Sequence, residues 1–412
     1  MAVVFDTFVR TLRFIFPKVT YVSNITDIDD KIIEAAVEQN VEISVITKKF
    51  TKIYNEDMAK LNVLAPDVQP KATEYIPEMI DLIKELIEKD FAYEKDGHVL
   101  FHVPTYENYG KLSNRIKDEQ IAGSRVDVAD FKKDPADFVL WKPSTGVQPG
   151  WESPWGIGRP GWHTECSAMS EKTLGLPLDI HGGGRDLIFP HHENEIAQSC
   201  CTAAENSNPE SYAKYWMHNG FVTIDGEKMS KSLGNIILVN ELTQKYHGEV
   251  IRLALLSTHY RQALDWNDNV IHQAKKLLDK LYSLLNELND VKESKEPDND
   301  LIEMLLDDLN TPGLMANINK LLKNAESLEE GDKPNLKSNL LLIGKLMGIL
   351  EDKSYNQISS EFKDKVDNLI EDRSNAKKKR DFELADKIRS ELIDLGVEIN
   401  DSPEGTTWKV VK

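Results

Sequence analysis

The first apolar pattern along the chain has a helical period: Phe5, Val9, Leu12 and Phe16 recur every three or four positions, with Arg10, Arg13 and Lys18 between them. That spacing predicts an amphipathic helix over residues 1–18 with one face on a core. The acidic Asp6 and the lack of a serine-rich stretch or cleavage motif argue against a targeting peptide. Residues 19–25 (VTYVSNI), β-branched and aromatic, predict a short buried strand. Thr26 or Asp27 is the expected cap of the next helix, with Asp29 and Asp30 near its positive end. Amphipathic helices follow over residues 43–61 and 74–89, and residues 91–103 read as a hairpin turning at Asp96-Gly97.

Proline, glycine and tryptophan dominate residues 140–161, which read as loop. Residues 176–184 (LPLDIHGGG) predict a buried strand ending in a glycine turn, and PHHENEIAQSCCTAAE predicts a helix opening at Pro190. YWMHNGFVTIDGEKMSKSLGN supplies a further strand, a hairpin-like turn and a lysine-rich loop. Strands alternating with helices predict an α/β fold with a parallel sheet over residues 1–238, carrying an insertion at about 65–150. Residues 239–352 show helical spacing and predict an all-α bundle, with the polar stretches 291–300 and 325–335 as loops. Residues 353–412 read as a small α/β piece: a helical pair, then a hairpin turning at 402–406.

Charge narrows the choice of partners. The 412 residues hold 50 Lys+Arg against 69 Asp+Glu, a net charge of −19, which excludes a surface that holds polyanions everywhere but leaves room for a local basic patch. Only Cys166, Cys200 and Cys201 are cysteines, so a disulfide framework is excluded and a reducing, cytoplasmic compartment is expected. Apolar runs fall short of the ~20 residues of a membrane span.

Two clusters carry chemistry. His191 and Glu195 lie four apart on one helix and share a face, while His192 points about a quarter-turn away. With Cys166 on a converging element they form a candidate zinc set; a buried thiol beside a satisfied histidine is the competing reading. The second cluster is Lys228-Met229-Ser230-Lys231-Ser232 before a helix start, where ammonium groups, a hydroxyl and backbone N–H groups can hold polyphosphate. Cys200 and Cys201 are assigned to helix packing.

KMSKSLGN after a strand and turn resembles the nucleotide loop of class I aminoacyl-tRNA synthetases. With NITDIDDKI, DFVLWKP, SPWGIGRPGWHTECSAMS, DIHGGGRDLIFPHHENEIAQS, YWMHNGFV, DDLNTPG and the terminal GTTW, the chain resembles the cysteinyl-tRNA synthetase family along nearly its whole length. That resemblance implies a zinc ion on Cys166, His191 and Glu195 that receives the substrate thiolate. It implies that Thr26, Trp162 and Asp186 border the cysteine pocket, and that His181, Ser230, Lys231 and Ser232 bind ATP, supplied with Mg2+. Lys228 and Lys231 are the implied catalytic lysines, steadying the pyrophosphate leaving group. The implied partners are L-cysteine, ATP and tRNA(Cys), met by a monomer, with the C-terminal region reading the anticodon. There the basic run 377–380 reads either as a solvated helix face or as an RNA contact, with Lys377, Arg380 and Asp386 as candidates and Phe382 or Trp408 as stacking groups.

In that family a first strand, a further zinc-ligand cysteine and a His-x-Gly-His loop precede the helix with which this sequence opens. This sequence has no cysteine before Cys166 and no His-x-Gly-His. One expectation is that the true start lies upstream. The other is a truncated, N-terminally incomplete sheet with an exposed first helix, hence a catalytically impaired tRNA-binding paralogue. A cysteine ligase with an amino-sugar acceptor is a further alternative.

Overall fold

In a computed structural model that describes residues 1–115, 130–146, 148–203, 208–230, 233–294, 300–325, 327–355, 360–402 and 405–410, the chain opens with the helix Ala2–Ile15. Its buried stripe is Val3, Val4, Asp6, Thr7, Val9 and Thr11, so three polar residues share the packed face. Each is satisfied locally or across the fold: the Thr7 hydroxyl donates to Val3 O (3.0 Å), that of Thr11 to Thr7 O (2.8 Å), and Asp6 accepts from Leu64 N (2.8 Å). Phe16 lies past the helix end and is exposed, contrary to its expected place on the buried face. The stripe packs on the helices Gly248–Leu256 and Lys333–Met347, so the face expected to be bare is covered by the bundle.

Residues 19–25 do not form a buried strand. They make only the isolated parallel bridges Val22–Val68 and Ile25–Lys71, and the segment is half-buried. The next helix is Asp30–Glu38, capped by neither Thr26 nor Asp27 but by Asp29, whose carboxylate accepts from Lys31 N at 2.9 Å. Asp27 instead accepts from Thr73 N (2.9 Å) and Thr73 Oγ1 (2.6 Å), tying this strand-like segment to the chain beyond the helix Ile43–Lys60.

The hairpin Ala92–Lys95 with His98–Phe101 turns at Asp96 and Gly97, both left-handed (φ 55° and 74°), as a primed two-residue turn requires. Residues 140–161 are not all loop: Phe138–Pro143 and Gly158–Pro160 complete a four-stranded antiparallel sheet with the hairpin. Leu140 and Trp141 are both fully buried there, a short apolar run that the surrounding prolines and glycines conceal.

Leu178–Gly184 and Ala213–Asn219 pair in parallel, in the register Ile180–Tyr215 and Gly183–His218. The helices Trp162–Leu174 and Glu193–Thr202 pack together beside them. The second of these begins at Glu193, not Pro190, because Ile188–His192 form an irregular wide turn that includes the extended Phe189. Val222–Ile224 then pairs antiparallel with Glu227–Lys228 and parallel with Leu264–Trp266.

The bundle comprises Gly248–Leu256, Asp268–Glu287, Asp300–Leu306, Thr311–Ala325 and Lys333–Met347. Of the two expected loops, residues 295–299 lie outside the described residues, and the second is shortened by a helical turn at Glu330–Asp332. Met1–Glu351 form one compact unit and Asp352–Lys412 another. The second unit holds the helices Ser360–Lys378 and Phe382–Asp394 and the hairpin Val397–Ser402 with Gly405–Val410, around Val366, Ile388, Leu392 and Val397.

Candidate active site

Cys166 comes from the helix Trp162–Leu174, His191 from the wide turn, and Glu195 from the helix it leads into. Their donor atoms all lie within 4.8 Å of one another. His191 Nε2 faces Glu195 Oε1 at 3.2 Å, close to the ~3.3 Å that two ligands on one tetrahedral zinc ion adopt. That Glu195 oxygen is buried and receives no well-directed hydrogen bond, the condition of an atom aimed at a cation. The three residues therefore fit a zinc ion. His163 Nδ1 meets His191 Nδ1 at 2.8 Å. If His191 Nδ1 carries the proton and donates it there, Nε2 keeps its lone pair for a metal. Burial drives the His163 pKa to about 3, so its ring is neutral and able to accept.

The thiol of Cys166 is pushed well above its ordinary pKa by burial and by the neighbouring Glu195 and Glu165 carboxylates. Glu195 itself is held well below the carboxylate range: burial opposes this, but the adjacent His181, bonded to Oε2, and the nearby His191 ring prevail. An anionic Glu195 beside a reluctant thiol is a site that a divalent cation would balance.

Around this centre, the Trp162 ring lies 4.2 Å from the His191 ring and is 47% exposed, so it forms an open wall. The Asn24 amide donates toward the Cys166 sulfur at 3.8 Å, two residues before Thr26. Asp186 is exposed in the short turn Arg185–Leu187. His181 Nε2 donates to Glu195 Oε2 at 3.0 Å, which places its ring against the carboxylate of the candidate metal set. His192 Nδ1 pairs with His218 Nε2 at 2.8 Å. Sequence reasoning missed Asn24, His163 and His218, although GWHTEC and YWMHNG display both histidines. Cys200 and Cys201 are buried, their thiols pushed up to about 11 and about 12, as packing residues should be.

The lysine loop leaves the strand Glu227–Lys228. Lys228 Nζ sits 4.9 Å over the Phe221 ring, and the Asn235 side chain spans the loop, accepting from Ser230 N at 2.8 Å and donating to Lys228 O at 3.4 Å. Lys231 and Ser232 lie outside the described residues. In the second unit Lys377 pairs with Asp401 at 2.8 Å, while Arg380 and Asp386 are exposed. Trp408 donates to Asp367 at 2.8 Å and is partly buried against the core there, whereas Phe382 is 64% exposed.

Residues 1–276 match the family model described as the tRNA synthetases class I (C) catalytic domain. The chain belongs to that family. Over 99% of its length it is 54% identical to the cysteine–tRNA ligase of Parvibaculum lavamentivorans, covering 89% of that protein. It is 49% identical to that of Saccharophagus degradans, covering 99% of the chain and 90% of the relative. Among solved structures, the methionyl-tRNA synthetase of Mycobacterium tuberculosis in complex with methionyl-adenylate resembles it in fold, with a TM-score of 0.57 at 16% identity over 84% of this chain and 87% of that one. These neighbours bear out the class I synthetase fold read from the sequence.

Proposed function

We propose that this synthetase is a cysteine–tRNA ligase. It forms cysteinyl-adenylate from L-cysteine and ATP, then transfers the cysteinyl group to tRNA(Cys). The observation that carries this reading is the convergence of Cys166, His191 and Glu195 within 4.8 Å in a chain so similar to ligases of that name.

A zinc ion on these three residues supplies a soft Lewis acid that prefers a thiolate to a hydroxyl. Serine then lacks the atom the site recognises, and selection needs no editing step. Asn24 and the open wall of Trp162 shape the space beside Cys166. Thr26 borders this pocket, and Asp186 binds the substrate ammonium. Lys228 and Lys231, with Ser230 and Ser232, hold the phosphates of Mg2+-bound ATP, and stabilise charge as pyrophosphate departs. His181 orients Glu195 and borders the nucleotide. The tRNA terminal hydroxyl then attacks the adenylate carbonyl, releasing AMP. Residues 1–238, with the insertion at about 65–150, form the catalytic part in this reading, 239–352 the connecting bundle, and 353–412 the tRNA-reading part. We assign the protein to the cytoplasm as a monomer; among the described residues no helix is long and apolar enough to cross a membrane.

Cysteine-dependent ATP–pyrophosphate exchange tests the proposal directly. Exchange stimulated by cysteine and not by serine is expected. Folded protein that exchanges with neither, or with both alike, overturns it.

A further inference from the structure

The turn that delivers Lys228 has an unusual support. In the hairpin Val222–Ile224 to Glu227–Lys228, Asp225 and Gly226 are both left-handed, with φ of 50° and 82°. Asp265, on the adjoining strand Leu264–Trp266, reaches under this turn. Its Oδ1 accepts from Gly226 N at 2.6 Å and from Thr223 Oγ1 at 2.8 Å. Its other oxygen, Oδ2, accepts from Asn267 Nδ2 at 3.1 Å. Asn267 is also the cap of the bundle helix Asp268–Glu287, its Oδ1 accepting from Val270 N at 3.1 Å. Two side chains thus join the first turn of a 20-residue bundle helix to the hairpin of the lysine loop. The three donors hold the Asp265 carboxylate below its ordinary pKa, with the Gly226 N–H contributing most.

We infer that Asp265 is a positioning residue for the nucleotide loop, and that the Asp265–Asn267 pair couples that loop to the bundle. The argument is one of donor and acceptor inventory. A hairpin of two short strands is marginal by itself, and a left-handed two-residue turn can tilt its lysine freely unless something fixes it. A carboxylate offers four lone-pair sites, enough to bind the turn amide, the Thr223 hydroxyl and the capping amide together. Any tilt of the bundle helix then moves Asn267, and with it the turn from which Lys228 projects. The inference rests on the ligase reading for its activity arm, so one arm is independent of activity.

That arm is hydrogen–deuterium exchange of the full chain. Asp265→Ala should strip protection from the Gly226 amide while leaving the parallel strands Leu178–Gly184 and Ala213–Asn219 protected. Unchanged Gly226 protection overturns the hold. In ATP–pyrophosphate exchange, Asp265→Ala should raise the KM for ATP or lower kcat about tenfold, with the KM for cysteine unchanged. An equal effect on both substrates, or none, overturns the positioning role. Asp265→Asn keeps an oxygen for Gly226 and Thr223 but turns an amide against the Asn267 amide, so it should show part of the defect. Adding Asn267→Asp restores a donor–acceptor match and keeps the helix cap, and should return the ATP parameters toward wild type. A double variant no better than Asp265→Asn overturns the coupling. If the wild type itself lacks exchange, the ligase reading fails while the Gly226 protection arm still reads the hold.

Discussion

Arg252 and Asp6, 246 positions apart in sequence, form an ion pair in which both side chains are almost completely buried. The guanidinium also donates to Leu61 O at 3.1 Å and to the Thr7 hydroxyl at 3.2 Å, and its Nε bonds Met347 O. Asp6 in turn accepts from Arg10 at 2.8 Å. One cation thereby joins the first helix, the end of the helix Ile43–Lys60 and the end of the last bundle helix. Beside it, Glu249 takes the Leu350 and Glu351 amides at 2.9 and 3.0 Å and the Tyr282 hydroxyl at 2.9 Å.

Removing one partner of such a pair leaves a buried charge without compensation, at a cost of about 3–5 kcal/mol. Arg252→Met and Asp6→Asn should each lower the unfolding free energy read from denaturant titration by that scale, and the double variant should cost less than their sum. Gly348 offers a second probe of the same place. It is left-handed (φ 65°), and a Cβ there would stand 2.6 Å from the Arg252 guanidinium carbon, so Gly348→Ala should destabilise as well. Additive effects of Arg252→Met and Asp6→Asn would show that the pair acts as two unrelated residues.

Metal dependence follows from the donor set. Cys166→Ala and Glu195→Gln should each remove most of the zinc that co-purifies with the wild type, read by elemental analysis. Stripping the wild type with a chelator should abolish the preference for cysteine over serine in exchange while leaving far-UV circular dichroism unchanged. Retained zinc in the Cys166→Ala protein would place the metal elsewhere.

For the nucleotide loop, Lys231→Ala should lower adenylate formation by about 10²–10³, the usual cost of one well-aimed donor to a developing charge. Lys228→Ala should cost less, because its ammonium rests against the Phe221 ring. The check is pre-steady-state adenylate formation with cysteine held saturating. Equal losses would show that Lys228 leaves Phe221 during the reaction.

Acid sensitivity can be argued from three histidines. Burial lowers the pKa of His163 to about 3, that of His192 to about 3 and that of His218 to about 4. Each titrates near 6.5 when unfolded. Between about pH 4 and pH 6.5 the unfolded chain therefore binds protons that the native protein refuses, and stability falls as pH is lowered through that window. In the presence of chelator, the thermal midpoint should drop from pH 7 to pH 5, and His163→Asn should shallow that slope. A midpoint independent of pH in this range would refute the argument.

What the sequence made legible was whatever local spacing encodes. The spacing of four between His191 and Glu195 signals that they come together, although His191 sits in the wide turn and only Glu195 on the helix, and the glycine strand announces itself. The Asp96-Gly97 turn does so too. The supports of these features were hidden because they are tertiary. Nothing near Asp6 announces Arg252, and nothing near Glu195 announces His181, on the strand Leu178–Gly184, as its partner. The buried polar stripe of the first helix misleads a reading based on apolar spacing, since Asp6 and Thr11 pass for solvent-facing residues until their partners are seen. Residues 140–143 pass for loop in the sequence because proline and glycine outweigh an apolar run only a few residues long.

The second compact unit presents its basic residues in two ways. Lys378, Lys379 and Arg380 are exposed at the end of the helix Ser360–Lys378, whereas Lys377 is engaged with Asp401. Arg373 holds the same carboxylate through both terminal nitrogens at 2.9 Å, so Asp401 is a structural anchor between helix and hairpin. Replacing Lys378, Lys379 and Arg380 by glutamine should weaken tRNA binding and reduce its salt dependence, by up to about 0.7–0.9 in log–log slope for each phosphate left without its cation. Phe382→Ala removes a 64% exposed ring and should weaken binding with the slope unchanged, because stacking releases no counterions. Trp408→Ala should instead loosen the unit itself, since that ring is bonded to Asp367 and packed on its core. Titrations of labelled tRNA at several salt concentrations distinguish the three. A Phe382→Ala protein that binds like wild type would remove stacking at this helix start from the account.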